Sequence, residues 1–145
     1  MQVKEIMTKS VKTVSPSDSV KKAAQIMEEV NCGSVPVTEG DRVVGMLTDR
    51  DITIKAVARG QGSDTPVKNC MSSTVVTIKP DADAREAANM MAGNQVRRLP
   101  VVDNQKLVGI LAIADLARVN IYVSESGKAL SEISEPSRQA NAVRH

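Results

Sequence analysis

Shifted by 64 residues, the chain matches itself without a gap, residues 3 to 52 falling onto residues 67 to 116. Met7, Pro16, Ala23, Met27, Pro36, Val37, Gly45, Leu47 and Asp51 meet Met71, Pro80, Ala87, Met91, Pro100, Val101, Gly109, Leu111 and Asp115. The chain is a tandem duplication. A copy of roughly 50 residues buries too little surface to be stable alone, so the two copies are expected to share a hydrophobic interface. The cleft between them is where function is sought.

At 145 residues and 41% hydrophobic content, the chain suits one compact domain of two lobes. The boundaries read as repeat 1 over 1–60, a Gly- and Ser-containing linker over 61–66, repeat 2 over 67–122 and a polar tail over 123–145. Composition also excludes. One Tyr, with no Trp or Phe, leaves no stacking platform for bases, and a net charge of +2 without a basic run gives no phosphate-backbone stripe. Nucleic acid is therefore not expected as a partner. No apolar run approaches the roughly 20 residues that span a bilayer, and the N-terminus lacks a signal-peptide core, so no membrane is expected and the protein reads as cytoplasmic. Cys32 and Cys70 form no C-x-x-C pair, and no His, Cys or carboxylate cluster has metal-ligand spacing.

Both copies read in the same order. Val11–Val14 and Val75–Ile78 are short β-branched runs stopped at Pro16 and Pro80. A helix follows each: Val20, Ala23, Ala24, Met27 and Val30 form one apolar face capped at Ser17 or Asp18, and Ala84, Ala87, Ala88 and Met91 form the other, capped near Asp81 or Asp83. Two hairpins come next, Ser34–Thr38 with Arg42–Leu47 and Arg98–Val102 with Lys106–Leu111, turning at Gly40 and Asn104. A second helix runs from Thr48 or Asp49 to about Arg59, and its counterpart from Ile113 to Val119. The class is α+β, two β-α-β-β-α units. A short helix is expected in the tail around Lys128–Ile133, with little apolar area to anchor it.

The most specific motif is Gly45-Met46-Leu47-Thr48-Asp49-Arg50-Asp51. Thr48 and Asp51 fall on one face of a first helical turn, where a carboxylate can accept from both hydroxyls of a ribose. The competing reading is a capping box, with Thr48 as N-cap and Asp51 at N3. Asp51 recurs as Asp115, but Thr48 falls opposite Ala112, so the two copies differ in what they can hold. The second feature is the pair Arg97-Arg98 before Leu99-Pro100-Val101, where the first copy has Gly33-Ser34-Val35-Pro36-Val37. Planar guanidinium forks match phosphate oxygens. Alternation along a strand turns at most one of the two into a cleft.

The duplicated unit, the paired Val-Pro-Val and Leu-Pro-Val motifs and the Gly-x-x-Thr-x-x-Asp together resemble a tandem pair of CBS domains, a Bateman module. The resemblance covers residues 3 to about 119. It implies two repeats packed around a pseudo-twofold axis, clefts that bind AMP, ADP, ATP, S-adenosylmethionine or NAD(H), and association into a homodimer. Carried onto this sequence, it implies that Thr48 and Asp51 hold a ribose, Met46 flanks the adenine, Ile78 and Pro100 close on the base, and Arg97 or Arg98 meets the phosphate. A second, weaker cleft would use Asp115 with Thr13, Val14, Ser34, Val35 and Pro36; it lacks both the hydroxyl and the arginine pair. The expected function is a regulatory module that senses an adenine nucleotide and signals to another protein; the alternative is ligand-independent dimerisation or assembly. Catalysis is not expected, because the one histidine is the C-terminal His145 and no nucleophile has a base beside it.

Overall fold

The computed structural model describes residues 1–119 together with residues 129, 132 and 133. Four helices and four strands carry the two repeats: α1 (Val20–Val30), β1 (Ser34–Glu39), β2 (Arg42–Thr48) and α2 (Asp49–Lys55), then α3 (Ala84–Asn94), β3 (Arg98–Asp103), β4 (Lys106–Ala112) and α4 (Ile113–Ala117). The architecture is α+β, with β1 and β2 forming one two-stranded sheet and β3 and β4 another.

The contacts divide the chain into two compact units that do not follow the sequence repeats. The first-repeat unit is Ser10–Val75 with Asp103–Leu107; the second-repeat unit is Met1–Lys9, Val76–Val102 and the described residues from Val108 onward. Each repeat thus gives its opening arm to the other repeat's body. In the second-repeat unit the Val3 and Lys4 amides donate to the carbonyls of Ala82 and Pro80, both at 2.9 Å. The same bonds recur in the first-repeat unit from Val67 to Asp18 (2.7 Å) and from Lys68 to Pro16 (2.9 Å). Val3 and Val67 are fully buried, each in the core of the unit that receives it. Each such valine contributes about 1.5 to 3 kcal/mol of burial.

The helices form where the apolar period predicts, but the buried face of α1 is narrower than expected. Val20, Ala23 and Met27 face the first-repeat core while Ala24 and Val30 are exposed, and Ala84, Ala87, Ala88 and Met91 of α3 face the second core. Both helices stop at a residue in the left-handed region, Asn31 (φ 52°) and Gln95 (φ 53°), whose amides return to the last carbonyls. The N-cap of α1 is Ser19, not Ser17 or Asp18: its hydroxyl accepts from the Lys22 amide at 3.1 Å. Asp18 is unavailable because its carboxylate accepts from the Ser15 amide at 2.8 Å in the turn that Pro16 starts. Asp83 caps α3 as expected.

The expected strands at 11–14 and 75–78 shrink to single parallel bridges, Val14 to Val37 and Ile78 to Val101. The chain leaves the sheet two residues before the position where Pro16 or Pro80 would fail to donate. β1 pairs antiparallel with β2 in a register that sets Ser34 opposite Thr48, Pro36 opposite Met46 and Val37 opposite Gly45, with an irregularity after Val37. The hairpin tips use positive φ at Gly40 (61°) and at Asn104 and Gln105 (49° and 67°), as a tight turn requires.

α2 ends at Lys55 rather than Arg59: beyond the C-cap Ala56, a 3₁₀ turn over Val57–Arg59 takes over and closes at Gly60 (φ 72°). α4 likewise ends at Ala117, short of Val119. Ala129, Glu132 and Ile133 of the tail are helical; the rest of 120–145 lies outside the described residues. The tail is better anchored at these positions than its composition suggests: Ala129 is fully buried in the second-repeat core and Ile133 packs against it.

Candidate functional site

Thr48 ends β2 in extended geometry and begins α2, which brings the Thr-x-x-Asp motif onto one turn. The Thr48 hydroxyl oxygen accepts from the Asp51 amide at 3.0 Å, and Asp51 Oδ2 accepts from the Thr48 amide at 3.0 Å. The capping box foreseen as the competing reading is therefore formed. It does not consume the acidic group. The bond to Thr48 uses an oxygen lone pair and leaves the hydroxyl proton to donate, while the Asp51 carboxylate keeps 20% of its side chain exposed. Asp51 Oδ1 lies 3.4 Å from Lys55 Nζ. A carboxylate has about four lone-pair positions, so two remain for a diol.

Asp115 repeats half of this. Its Oδ2 accepts from the Ala112 amide at 2.9 Å, and its Oδ1 from Arg118 at 3.1 Å. Ala112 has no hydroxyl to return the bond, so the second copy has the carboxylate without the donor beside it. The recurrence of the aspartate has a structural cause in both copies: it satisfies the amide at the N-cap of a short helix.

The residues singled out in sequence regroup by unit. In the first-repeat unit, Thr13 and Val14 run alongside β1, with the Val14 amide on the Pro36 carbonyl (3.1 Å) and the Thr38 hydroxyl on Thr13 Oγ1 (3.3 Å). Ser34, Val35 and Pro36 of β1 face Thr48, Leu47 and Met46 across the ladder, and Asp51 stands one turn into α2. Thr48, Asp51 and Met46 thus share a unit with Thr13, Val14, Ser34, Val35 and Pro36, although the resemblance divides them between two clefts. Met46, half-buried, also exchanges bonds with Ser72, at 3.0 Å from its amide and 2.9 Å to its carbonyl. In the second-repeat unit, Ile78 donates its amide to the Pro100 carbonyl at 3.1 Å, both residues being buried. Arg97 is exposed and precedes β3, its carbonyl accepting from the Ile113 amide at 2.9 Å, whereas Arg98 is half-buried at the strand's first position.

Lys55 was not singled out in sequence, although its four-residue spacing from Asp51 carries the signal for a helical ion pair. A shallow cavity of about 300 Å³ in the first-repeat unit, lined by Met27, Glu28, Asn31, Cys32, Gly33 and Asp49, contains none of the singled-out residues. Its counterpart positions in the second repeat include Ala92, Val96 and Ile113, beside which Gln95 donates to the Glu132 carbonyl at 3.1 Å. Of the tail, the described residues Ala129 and Ile133 pack in the second-repeat core alongside Val96 and Ile113. Among the described residues no group of three or more His, Cys, Asp or Glu is placed to hold a metal, and no helix is long and apolar enough to cross a membrane.

Comparison with known proteins is consistent across sequence and structure. Residues 3–57 and 67–122 each match the family model of the CBS domain. The CBS domain-containing protein YhcV of Bacillus subtilis is 43% identical over 132 residues, covering 91% of this chain and 94% of that protein. A putative signal-transduction protein with CBS domains from Burkholderia ambifaria superposes with a TM-score of 0.76 at 30% identity, over 83% of this chain and 94% of its own. A CBS domain pair solved in complex with 5′-methylthioadenosine and S-adenosyl-L-methionine superposes with a TM-score of 0.73 at 29% identity, over 83% of this chain and 95% of its own.

Proposed function

Because the chain belongs to the CBS domain family and carries a tandem pair of its repeats, we propose that it is a cytoplasmic regulatory module that binds an adenosine-containing nucleotide and signals occupancy to another protein. AMP, ADP and ATP are the leading ligands, with S-adenosylmethionine and NAD(H) as alternatives sharing the adenosine moiety. The observation that carries this reading is the Thr48–Asp51 box, which sets a hydroxyl proton beside a carboxylate with unfilled lone pairs. The relative solved with two adenosine compounds supports the ligand class. The reading assigns the ribose to Thr48 and Asp51, the adenine to Met46, Ile78 and Pro100, and phosphate charge to Arg97 or Arg98. Asp115, with Thr13, Val14, Ser34, Val35 and Pro36, is the weaker set, because Ala112 supplies no hydroxyl. It is a binding module and not an enzyme.

Thermal unfolding with AMP, ADP, ATP, NADH and S-adenosylmethionine tests this. A ligand at 100 times its Kd stabilises the fold by about 2.7 kcal/mol. Asp51→Ala is expected to lower the ligand-free stability by about 1 kcal/mol, through loss of the cap, and to abolish the ligand shift measured against its own baseline. A variant that still shifts as far as the parent overturns the ribose assignment. Arg97→Gln with Arg98→Gln should weaken ATP more than adenosine; equal losses would remove the arginines from the phosphate.

One observation favours assembly as a second reading. α2 buries no residue fully, and Ile54 and Val57 on it and the following turn are 40% and 67% exposed. A stable dimer in light scattering with no shift from any of the five compounds would favour assembly without a ligand.

A further inference from the structure

Both oxygens of the Asp51 carboxylate are held, and the group holding the outer one is itself tethered. Oδ2 accepts from the Thr48 amide at 3.0 Å, while Oδ1 lies 3.4 Å from Lys55 Nζ. The same ammonium donates to the Cys70 carbonyl at 3.1 Å. Cys70 is fully buried and caps the 3₁₀ turn Val67–Asn69, the arm that the first-repeat unit receives. An ordinary helical ion pair between exposed side chains is worth little, because a flexible lysine must be immobilised to make it. Here the Lys55 side chain is 35% exposed and held at two points, by the ion pair with Asp51 and the hydrogen bond to the Cys70 carbonyl, so the entropy of holding it is shared between two partners. The second copy lacks the device. Position 119, the counterpart of Lys55, is Val119, and Asp115 is met instead by Arg118, whose side chain is 76% exposed.

We propose that Lys55 is a positioning residue of the nucleotide site, fixing the Asp51 carboxylate and tying it to the arm that runs from Val67 to Ser72. This rests on the reading of Asp51 as ribose acceptor. The arm also exchanges backbone bonds with Met46 through Ser72, so of the three residues assigned to the nucleoside in this unit, Thr48, Asp51 and Met46, it touches Met46 directly and reaches Asp51 through Lys55. A ribose hydroxyl can donate to the lone pair of Asp51 Oδ1 that Lys55 leaves free, so the ammonium steadies the acceptor without displacing the ligand. Any shift of the carboxylate on binding passes through Lys55 to the Cys70 carbonyl, and occupancy is felt along the arm.

The test uses the full chain with AMP and S-adenosylmethionine, which share the ribose diol, in calorimetry and backbone NMR. Lys55→Gln is expected to weaken binding about tenfold, while ligand-free melting stays within a few degrees of the parent. Lys55→Arg, which keeps a cation of similar reach, should recover most of the affinity. Lys55→Met keeps the apolar stem and should reproduce the loss if the glutamine variant packs poorly. In the parent, ligand should move the Cys70 carbonyl and Met71 amide resonances, a response that Lys55→Gln should lack and that a purely structural lysine would leave intact. Parent-like affinity in Lys55→Gln, or a surviving response at Cys70, overturns the role of Lys55 alone when Asp51→Ala still fails to bind. A parent that binds neither compound sinks the ribose reading, and the positioning role with it.

Discussion

Among the described residues, Asp18 and Cys70 have surroundings that move their protonation, in ways that make opposite pH predictions. The Ser15 amide, bonded at 2.8 Å, and Lys22, 3.3 Å away, hold the Asp18 carboxyl below its usual 3.8, outweighing a modest burial penalty. A carboxylate with a depressed folded pKa contributes stability above the unfolded pKa and loses it as pH falls through the folded value. Asp18→Ala should therefore cost about 1 kcal/mol near pH 7, and the deficit should shrink below about pH 4 in urea melts. A deficit independent of pH would deny the charged bond. Cys70 behaves in reverse: burial raises its thiol above 9.0, so the folded state favours the protonated form and loses stability as pH climbs past the unfolded value. Iodoacetamide on the native chain at pH 8 should add one group, at the partly exposed Cys32, with Cys70 at least about a hundredfold slower because it reacts only through opening. Two adducts at matching rates would show that the first-repeat core does not shield Cys70.

At the scale of elements, each β2-type strand carries a glycine because an arm crosses it. A Cβ at Gly45 would stand 2.6 Å from Met71 Sδ and 2.9 Å from the Ser72 carbonyl oxygen; at Gly109 the figures are 2.5 Å to Met7 Sδ and 2.9 Å to the Thr8 carbonyl. The methionine can move aside. The carbonyl cannot without breaking the Met46–Ser72 or Thr8–Ile110 bridge. Gly45→Ala and Gly109→Ala should each destabilise by about 1 to 3 kcal/mol, and adding Met71→Ala should not restore Gly45→Ala. Melting within about 1 °C of the parent would mean the arm has slack. The helices and hairpins were legible in sequence because their signals are local: the three- and four-residue steps of Val20, Ala23 and Met27, and the turn residues Gly40 and Asn104. So was the Thr48–Asp51 box, a motif four residues long. The arm contacts were not. Val3 and Val67 read as equivalent positions of a repeat, and equivalence fixes the kind of pocket each fills without saying which body supplies it. Lys55 escaped notice for the same reason, since its second partner, the Cys70 carbonyl, is distant in sequence and is a backbone group with no residue signature.

For the whole molecule, the exchange of arms means that a sequence repeat is not a folding unit. A fragment cut as the repeat reads, residues 1–66, keeps an arm whose partners Ala82 and Pro80 are absent and loses Val67 and Cys70 from its own core. A fragment of residues 10–75 discards the orphan arm and keeps both buried residues, together with the Val67–Asp18, Lys68–Pro16 and Ser72–Met46 bonds. Losing a buried valine and a buried cysteine removes about 2 to 4 kcal/mol of apolar burial, comparable to the whole stability of a domain this small. Fragment 10–75 should therefore unfold cooperatively in urea by circular dichroism, with dispersed amide resonances, and fragment 1–66 should show a broad, non-cooperative loss of helix. Adding residues 67–75 back as a separate peptide should sharpen the transition of fragment 1–66, since the acceptors at Pro16, Asp18 and Met46 wait in that fragment. If 1–66 melts as sharply and as high as 10–75, the arms are decoration on bodies that fold without them. The coupling of Lys55 to the Cys70 carbonyl would then join the ligand site to a segment with little hold on the core.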